Sequence, residues 1–116
     1  MSLHLKTAAE LGRGLAAGEY SSVELTRHFL QRIELGNGRL NAFVTVTAEK
    51  ALEDARRADA AIAAGRGGPL AGVPIAHKDI FCTDGILTTC ASKMLSNFVA
   101  PYDATVVERW RAAGMV

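Results

Sequence analysis

Apolar positions recur with a helical period over several stretches of this chain. Thr7 precedes Glu10 by three residues, the spacing of a capping box, and Leu11 and Leu15 follow at i and i+4. A helix is predicted from there, with Gly18 as its stop. Ser21 and Glu24 repeat the signal for a second helix, in which Leu25, Phe29 and Ile33 share one face and Leu30 widens it. Gly36-Asn37-Gly38 is its predicted end. The run N-A-F-V-T-V-T, residues 41–47, is rich in β-branched residues and alternates, so it predicts a short strand. Thr47 is placed to cap a third helix over 48–64. Ala51, Leu52, Ala55, Ala58 and Ile62 form its packing stripe, and Glu53 lies four residues before Arg57.

After the turn G-R-G-G-P, the apolar run at 72–80 predicts the strongest strand. Residues 82–101 are polar and long for a connection, a feature of functional loops. A last helix opens at Asp103 or Thr105, runs through Val106, Val107 and Trp110, and stops near Gly114. The order α-α-β-α-β-loop-α predicts an α/β fold with helices covering a sheet. Met115 and Val116 read as the start of a further strand, and a parallel strand at 72–80 needs neighbours on both sides. The chain is therefore expected to be the amino-terminal part of something longer.

Composition narrows the function classes. A net charge of +1 gives no electrostatic basis for direct binding of nucleic acid or an anionic membrane. The two cysteines, Cys82 and Cys90, form no CxxC, and the three histidines, His4, His28 and His77, have no HxxxH spacing. No apolar run approaches the ~20 residues of a membrane span, and the first residues lack the pattern of a signal peptide. The expectation is a cytoplasmic protein with no metal and no membrane partner.

The candidate chemistry centres on Lys78, set in V-P-I-A-H-K-D-I. One reading is a lysine at a strand end that sends its ammonium to solvent or pairs with Asp79. The other is a buried lysine kept neutral, able to act as a general base toward a hydroxyl nucleophile. Of the five serines, Ser21 and Ser22 read as helix caps, and Ser92 and Ser96 come after Lys78 without a glycine-rich turn around either. G-R-G-L-A-A, residues 12–17, matches a loose dinucleotide pattern but sits in a helical stretch after no strand. Gly67 and Gly72 have P-loop spacing but are followed by Val73-Pro74. His77 with Asp79 supplies two metal ligands, too few for a site, and Cys82 has only His77 as a base within reach in sequence.

The run G-V-P-I-A-H-K-D-I, followed by T-T-C-A-S-K-M-L-S-N-F-V-A-P-Y-D-A-T-V-V, resembles the amidase-signature family. The G-V-P-x-x-x-K-D core is shared broadly. The second run, with S-S-x-E-L-T and L-N-A-F-V nearer the start, is similar to the glutamine-hydrolysing subunits of tRNA-dependent amidotransferases within that family. The resemblance spans nearly the whole chain. It implies a mixed sheet covered by helices, of which residues 1–116 would be the amino-terminal portion of a single amidase domain. It implies a Ser–cis-Ser–Lys triad in which Lys78 is the lysine, with both serines beyond this sequence, so that this chain alone is expected to be inactive. It also implies glutamine as substrate, two partners known as the B and C subunits, and tRNA held mainly by the B subunit. ATP and Mg²⁺ would be used by the complex through that partner, with no cofactor in this chain. A general amidase of the same family and a non-catalytic assembly module are the alternatives.

Overall fold

The computed structural model describes residues 2–116 and divides into two units. The first runs to Ile75 and is rejoined by Ala113–Val116; the second is Ala76–Ala112.

In the first unit, helices α1 (Ala8–Ala16), α2 (Ser22–Leu40) and α3 (Ala48–Ala63) follow a 3₁₀ turn at Leu3–Leu5. Both capping boxes form. The Thr7 N–H donates to the Glu10 carboxylate at 2.7 Å, and the Glu10 N–H donates to the Thr7 hydroxyl at 3.3 Å. That backbone bond, with the Thr7 hydroxyl behind it, holds the Glu10 carboxyl below its ordinary pKa. Ser21 and Glu24 make the same reciprocal pair at 2.8 and 3.0 Å. A second cap comes from α3, whose Asp59 carboxylate accepts from the N–H groups of Ser22 at 2.6 Å and Val23 at 3.2 Å. Three backbone donors at the start of α2 thus find side-chain acceptors, and a tertiary contact fixes α3 against it.

The predicted apolar faces meet. Leu3, Leu11, Leu15, Tyr20, Leu25 and Val73 form one buried cluster, with Phe29, Ile62 and Met115 packed on it. Ala55, Ala58 and Val116 form another, joined by Val23 and Ala51. Burying each large aliphatic side chain contributes about 1.5–3 kcal/mol. Gly18 adopts a left-handed φ of 73°, as its predicted role as a stop requires.

Three expectations are corrected here. First, α2 does not end at Gly36-Asn37-Gly38 but continues to Leu40, and Asn41 takes the left-handed cap at φ 49°. Second, no strand forms at 41–47. The Asn37 side chain instead donates to the Phe43 carbonyl at 3.1 Å and accepts from the Phe43 N–H at 2.8 Å, satisfying the groups a ladder would have used. Third, Thr47 precedes α3 without a side-chain cap bond, and Arg57 pairs with Asp54, one turn away, in place of Glu53.

The sheet expectation is not met among the described residues, whose one β-bridge is an isolated antiparallel contact between Leu87 and Val99. Residues 72–75 nevertheless lie beside 114–116. Gly72 N–H donates to Gly114 at 2.8 Å, Val116 N–H to Val73 at 3.0 Å, and Ile75 N–H to Val116 at 2.8 Å. Both segments advance together through these bonds, the sense of a parallel pair. The pairing stops at Ile75, so among the described residues the second half of the predicted strand has no ladder to join.

The second unit is mostly irregular chain with a 3₁₀ turn at Lys93–Leu95 and helix α4 (Thr105–Ala112). Residues 85–88 and 98–100 close on each other: Thr88 N–H donates to Phe98 at 3.0 Å and Ala100 N–H to Ile86 at 3.1 Å. The long connection therefore folds back on itself. Val107 is fully buried, and of the two predicted starts α4 takes Thr105 and not Asp103. The Asp103 carboxylate accepts from the Asp84 N–H at 2.7 Å and lies 3.2 Å from Arg111 Nε.

Candidate functional site

Lys78 stands in irregular chain, just before a turn closed by the Phe81 N–H donating to the Lys78 carbonyl at 3.2 Å. Its side chain is exposed, which fits the reading that sends the ammonium to solvent and corrects the one that buries it. The cause is local. Val73 is buried, but Ile75 is 40% and Ile80 48% exposed, so the apolar run leaves its one backbone neighbour before reaching the lysine.

The other arm of that first reading, an ion pair with Asp79, is not what forms. The Asp79 carboxylate accepts from the Thr89 N–H at 2.8 Å through Oδ1 and from the Thr89 hydroxyl through Oδ2. The Asp79 carbonyl accepts from the Cys90 N–H at 2.9 Å. Beyond that contact, Cys90 and Ala91 both adopt left-handed φ, 51° and 57°, and the Ser92 N–H closes the turn on the Thr89 carbonyl at 2.8 Å. Left-handed backbone costs a non-glycine residue about 1–2 kcal/mol, so a double occurrence needs support from elsewhere in the chain, and Asp79 gives it.

On the other side of Lys78, His77 has separate partners. Its Nδ1 is 3.2 Å from the Lys78 carbonyl oxygen, its Nε2 is 3.3 Å from the Thr83 hydroxyl, and its ring lies against Phe81 and Trp110. His77 and Asp79, the candidate metal pair, are thus engaged with different groups. Among the described residues no cluster of three or more His, Cys, Asp or Glu forms.

The remaining candidates take structural places. Ser21 is in its capping box, and the buried Ser22 hydroxyl donates to the Gly72 carbonyl at 2.7 Å. Ser92 begins the 3₁₀ turn without capping it, and Ser96 ends it, exposed. Neither hydroxyl is hydrogen-bonded to Lys78. Cys82 and Cys90 are both free thiols. A hydrogen bond to Cys82 raises the Tyr102 phenol above its ordinary pKa. Gly12 and Gly14, from the loose dinucleotide pattern, lie inside α1 facing Pro69 and the Tyr20 hydroxyl, so close packing accounts for them. Sequence reading missed Asp79's role: D-I after a lysine carries no local signal that a partner waits ten residues on.

Comparison with known proteins gives a consistent result. The family model described as amidase matches residues 24–116. The A subunit of the glutamyl-tRNA(Gln) amidotransferase of Thioalkalivibrio sulfidiphilus is 66% identical over 112 residues, 97% of this chain and 23% of that protein. The protein of the same name from Azotobacter vinelandii is 61% identical over 114 residues, 98% of this chain and 24% of its own length. The chain thus spans about a quarter of these curated relatives. A solved chain described by the words "An unexpected vestigial protein complex reveals the evolutionary origins of an s-triazine catabolic enzyme" superposes with a TM-score of 0.90 at 34% identity, over 96% of this chain and 25% of that one. Among the described residues no helix is long and apolar enough to cross a membrane.

Proposed function

Because the chain belongs to the amidase family, we propose that the complete protein is the glutamine-hydrolysing subunit of a cytoplasmic tRNA-dependent amidotransferase, with Lys78 as its general base. The observation that carries this reading is the 66% identity, across nearly the whole of this chain, to the A subunit of a glutamyl-tRNA(Gln) amidotransferase. The run T-T-C-A-S-K through D-A-T-V-V lies inside that match.

The proposed chemistry begins with a neutral Lys78 amine, which takes a proton from a cis-serine that in turn takes one from the nucleophilic serine. Both serines lie outside residues 1–116. The nucleophile adds to the side-chain amide carbon of glutamine, the C–N bond breaks, and the nitrogen leaves protonated as ammonia. Water then releases glutamate from the acyl-enzyme. Neutrality requires the amine to be desolvated. In this chain Lys78 is exposed, so on this reading its cover comes from the rest of the domain. The same elements would complete a mixed sheet, using residues 76–80 as an edge. The partner B subunit would activate the tRNA-bound carboxylate with ATP and Mg²⁺ and accept the ammonia, and a small C subunit would support assembly. No residue of this chain is assigned to the nucleotide or the metal, and its net charge of +1 accords with tRNA held elsewhere.

The test is Lys78→Ala in the complete three-subunit complex. Glutamate release from glutamine is expected to fall by at least about 10²- to 10⁴-fold, the usual worth of a general base. Unchanged turnover would remove Lys78 from the chemistry and favour an assembly role. The 34% identity to a chain connected with s-triazine catabolism supports a second reading, an amidase acting on another amide. Higher activity on simple amides than on glutamine with Glu-tRNA(Gln) would favour it.

A further inference from the structure

The residue after the proposed base has more hydrogen bonds to one loop than any structural need of the turn at 78–81 explains. Asp79 commits both carboxylate oxygens and its carbonyl to Thr89 and Cys90. A carboxylate that accepts one N–H and one hydroxyl from the same residue fixes it in position and orientation, and both bonds are charge-assisted. Thr89 in turn orders the next three residues: its hydroxyl accepts from the Ala91 N–H at 3.3 Å and its carbonyl from the Ser92 N–H at 2.8 Å. The backbone N–H groups of residues 89–92 are therefore all occupied, which excludes this turn as an oxyanion hole. It offers instead a rigid anchor, strained at Cys90 and Ala91, whose support is the residue peptide-bonded to Lys78.

We propose that Asp79 is a positioning residue for Lys78: by clamping the 89–92 turn it fixes the backbone from which the lysine projects. This inference rests on the reading of Lys78 as the general base. Among the described residues the backbone pairing ends at Ile75, so the bonds from Asp79 are what tie the segment that carries Lys78 to its surroundings. A base must sit within hydrogen-bond reach of its proton donor, and a 1 Å displacement costs as much as about a hundredfold in rate. Asp79 touches neither substrate nor reacting atoms in this scheme; it acts through the backbone.

The experiment measures glutamine hydrolysis by the complete complex, per mole of folded complex, for Asp79→Ala, Asp79→Asn and Thr89→Val, each also in a Lys78→Ala background. Asp79→Ala is expected to lower kcat about ten- to a hundredfold with little change in KM for glutamine. Asp79→Asn keeps an acceptor for the Thr89 N–H and should recover most of that loss. Thr89→Val removes only the hydroxyl and should lie between the two, and it serves with Asp79→Asn if Asp79→Ala does not fold. Where Lys78 is already alanine, none of the three should lower the residual rate further, because a residue that acts only through Lys78 has nothing left to position. Full kcat in Asp79→Ala beside an inactive Lys78→Ala overturns the clamp and leaves the proposed function standing. Losses that multiply in the Lys78→Ala background overturn it as well. Full activity in Lys78→Ala alone sinks the parent reading and the clamp with it.

Discussion

Single residues in this chain are read correctly only once their packing partners are known. Gly12 illustrates the point. In an isolated helix, Gly→Ala gains about 1 kcal/mol. Here a Cβ at position 12 would collide with the Pro69 carbonyl, which is backbone and cannot swing aside. Gly12→Ala is therefore expected to destabilise by about 1–3 kcal/mol, the range for overpacking. Chemical denaturation would check the sign, and a stabilised variant would show that the 69–70 backbone yields. Asp59 is the opposite case, a residue whose charge is used. Asp59→Ala leaves the Ser22 and Val23 N–H groups without their acceptors and should cost about 1–3 kcal/mol. Asp59→Asn, which keeps one acceptor oxygen, should cost less. The capping boxes were legible in the sequence because Thr7–Glu10 and Ser21–Glu24 are local pairs. Asp59–Ser22, Asn37–Phe43 and Asp79–Thr89 were not, because each joins residues that only the folded chain brings together.

At the scale of elements, helices were read well and strands were not, for one reason. A helix satisfies its own backbone, so periodicity and caps within one segment suffice, and the stripe Ala51–Ala55–Ala58 packs as predicted. A strand needs a partner. Residues 41–47 carry strand-like side chains, yet Asn37 takes Phe43's hydrogen bonds first. The 3₁₀ turn at Leu3–Leu5 is held differently, by Leu3 in the core and by His4 stacked on His28 of α2, with Nδ1 and Nε2 3.1 Å apart. Loss of hydration, then Arg32 and His28, lower the His4 pKa. A lowered folded-state pKa means the unfolded chain binds the proton more readily, so stability rises with pH. The contact is fully effective above the ordinary histidine value of about 6.5 and is lost as pH falls through the lower folded value. After correction for intrinsic rates, amide exchange at Leu5 and Lys6, which bond back to Ser2 and Leu3, should accelerate on acidification. His4→Gln should flatten that dependence. A flat profile in the unmodified chain would show that the stacked pair does not govern the turn.

For the whole molecule, the question is why the apolar run around Lys78 is exposed. Its sequence has the pattern of a buried strand, the near-continuous apolar run of parallel strands covered on both faces. This chain spans about a quarter of the relatives it matches, and its pairing with 114–116 serves only residues 72–75. Family motifs made Lys78 legible as a candidate, while its exposure was not, because it follows from where the backbone pairing of 72–75 stops. A definite expectation concerns the N–H groups of Ala76, His77, Lys78 and Asp79, for which no backbone acceptor is present among the described residues. In the 116-residue chain they should exchange with solvent almost freely, while the mid-helix amides of α2 remain protected. If the proposed mixed sheet is completed in the full-length protein, the same amides should become protected, and Ile75 and Ile80 should lose reactivity toward hydroxyl radicals as they are buried. The order matters, because protection in both forms would mean that this segment is ordered without a sheet neighbour. Free exchange in both would mean that no strand joins it, and that Lys78 relies on the Asp79 clamp alone for its position.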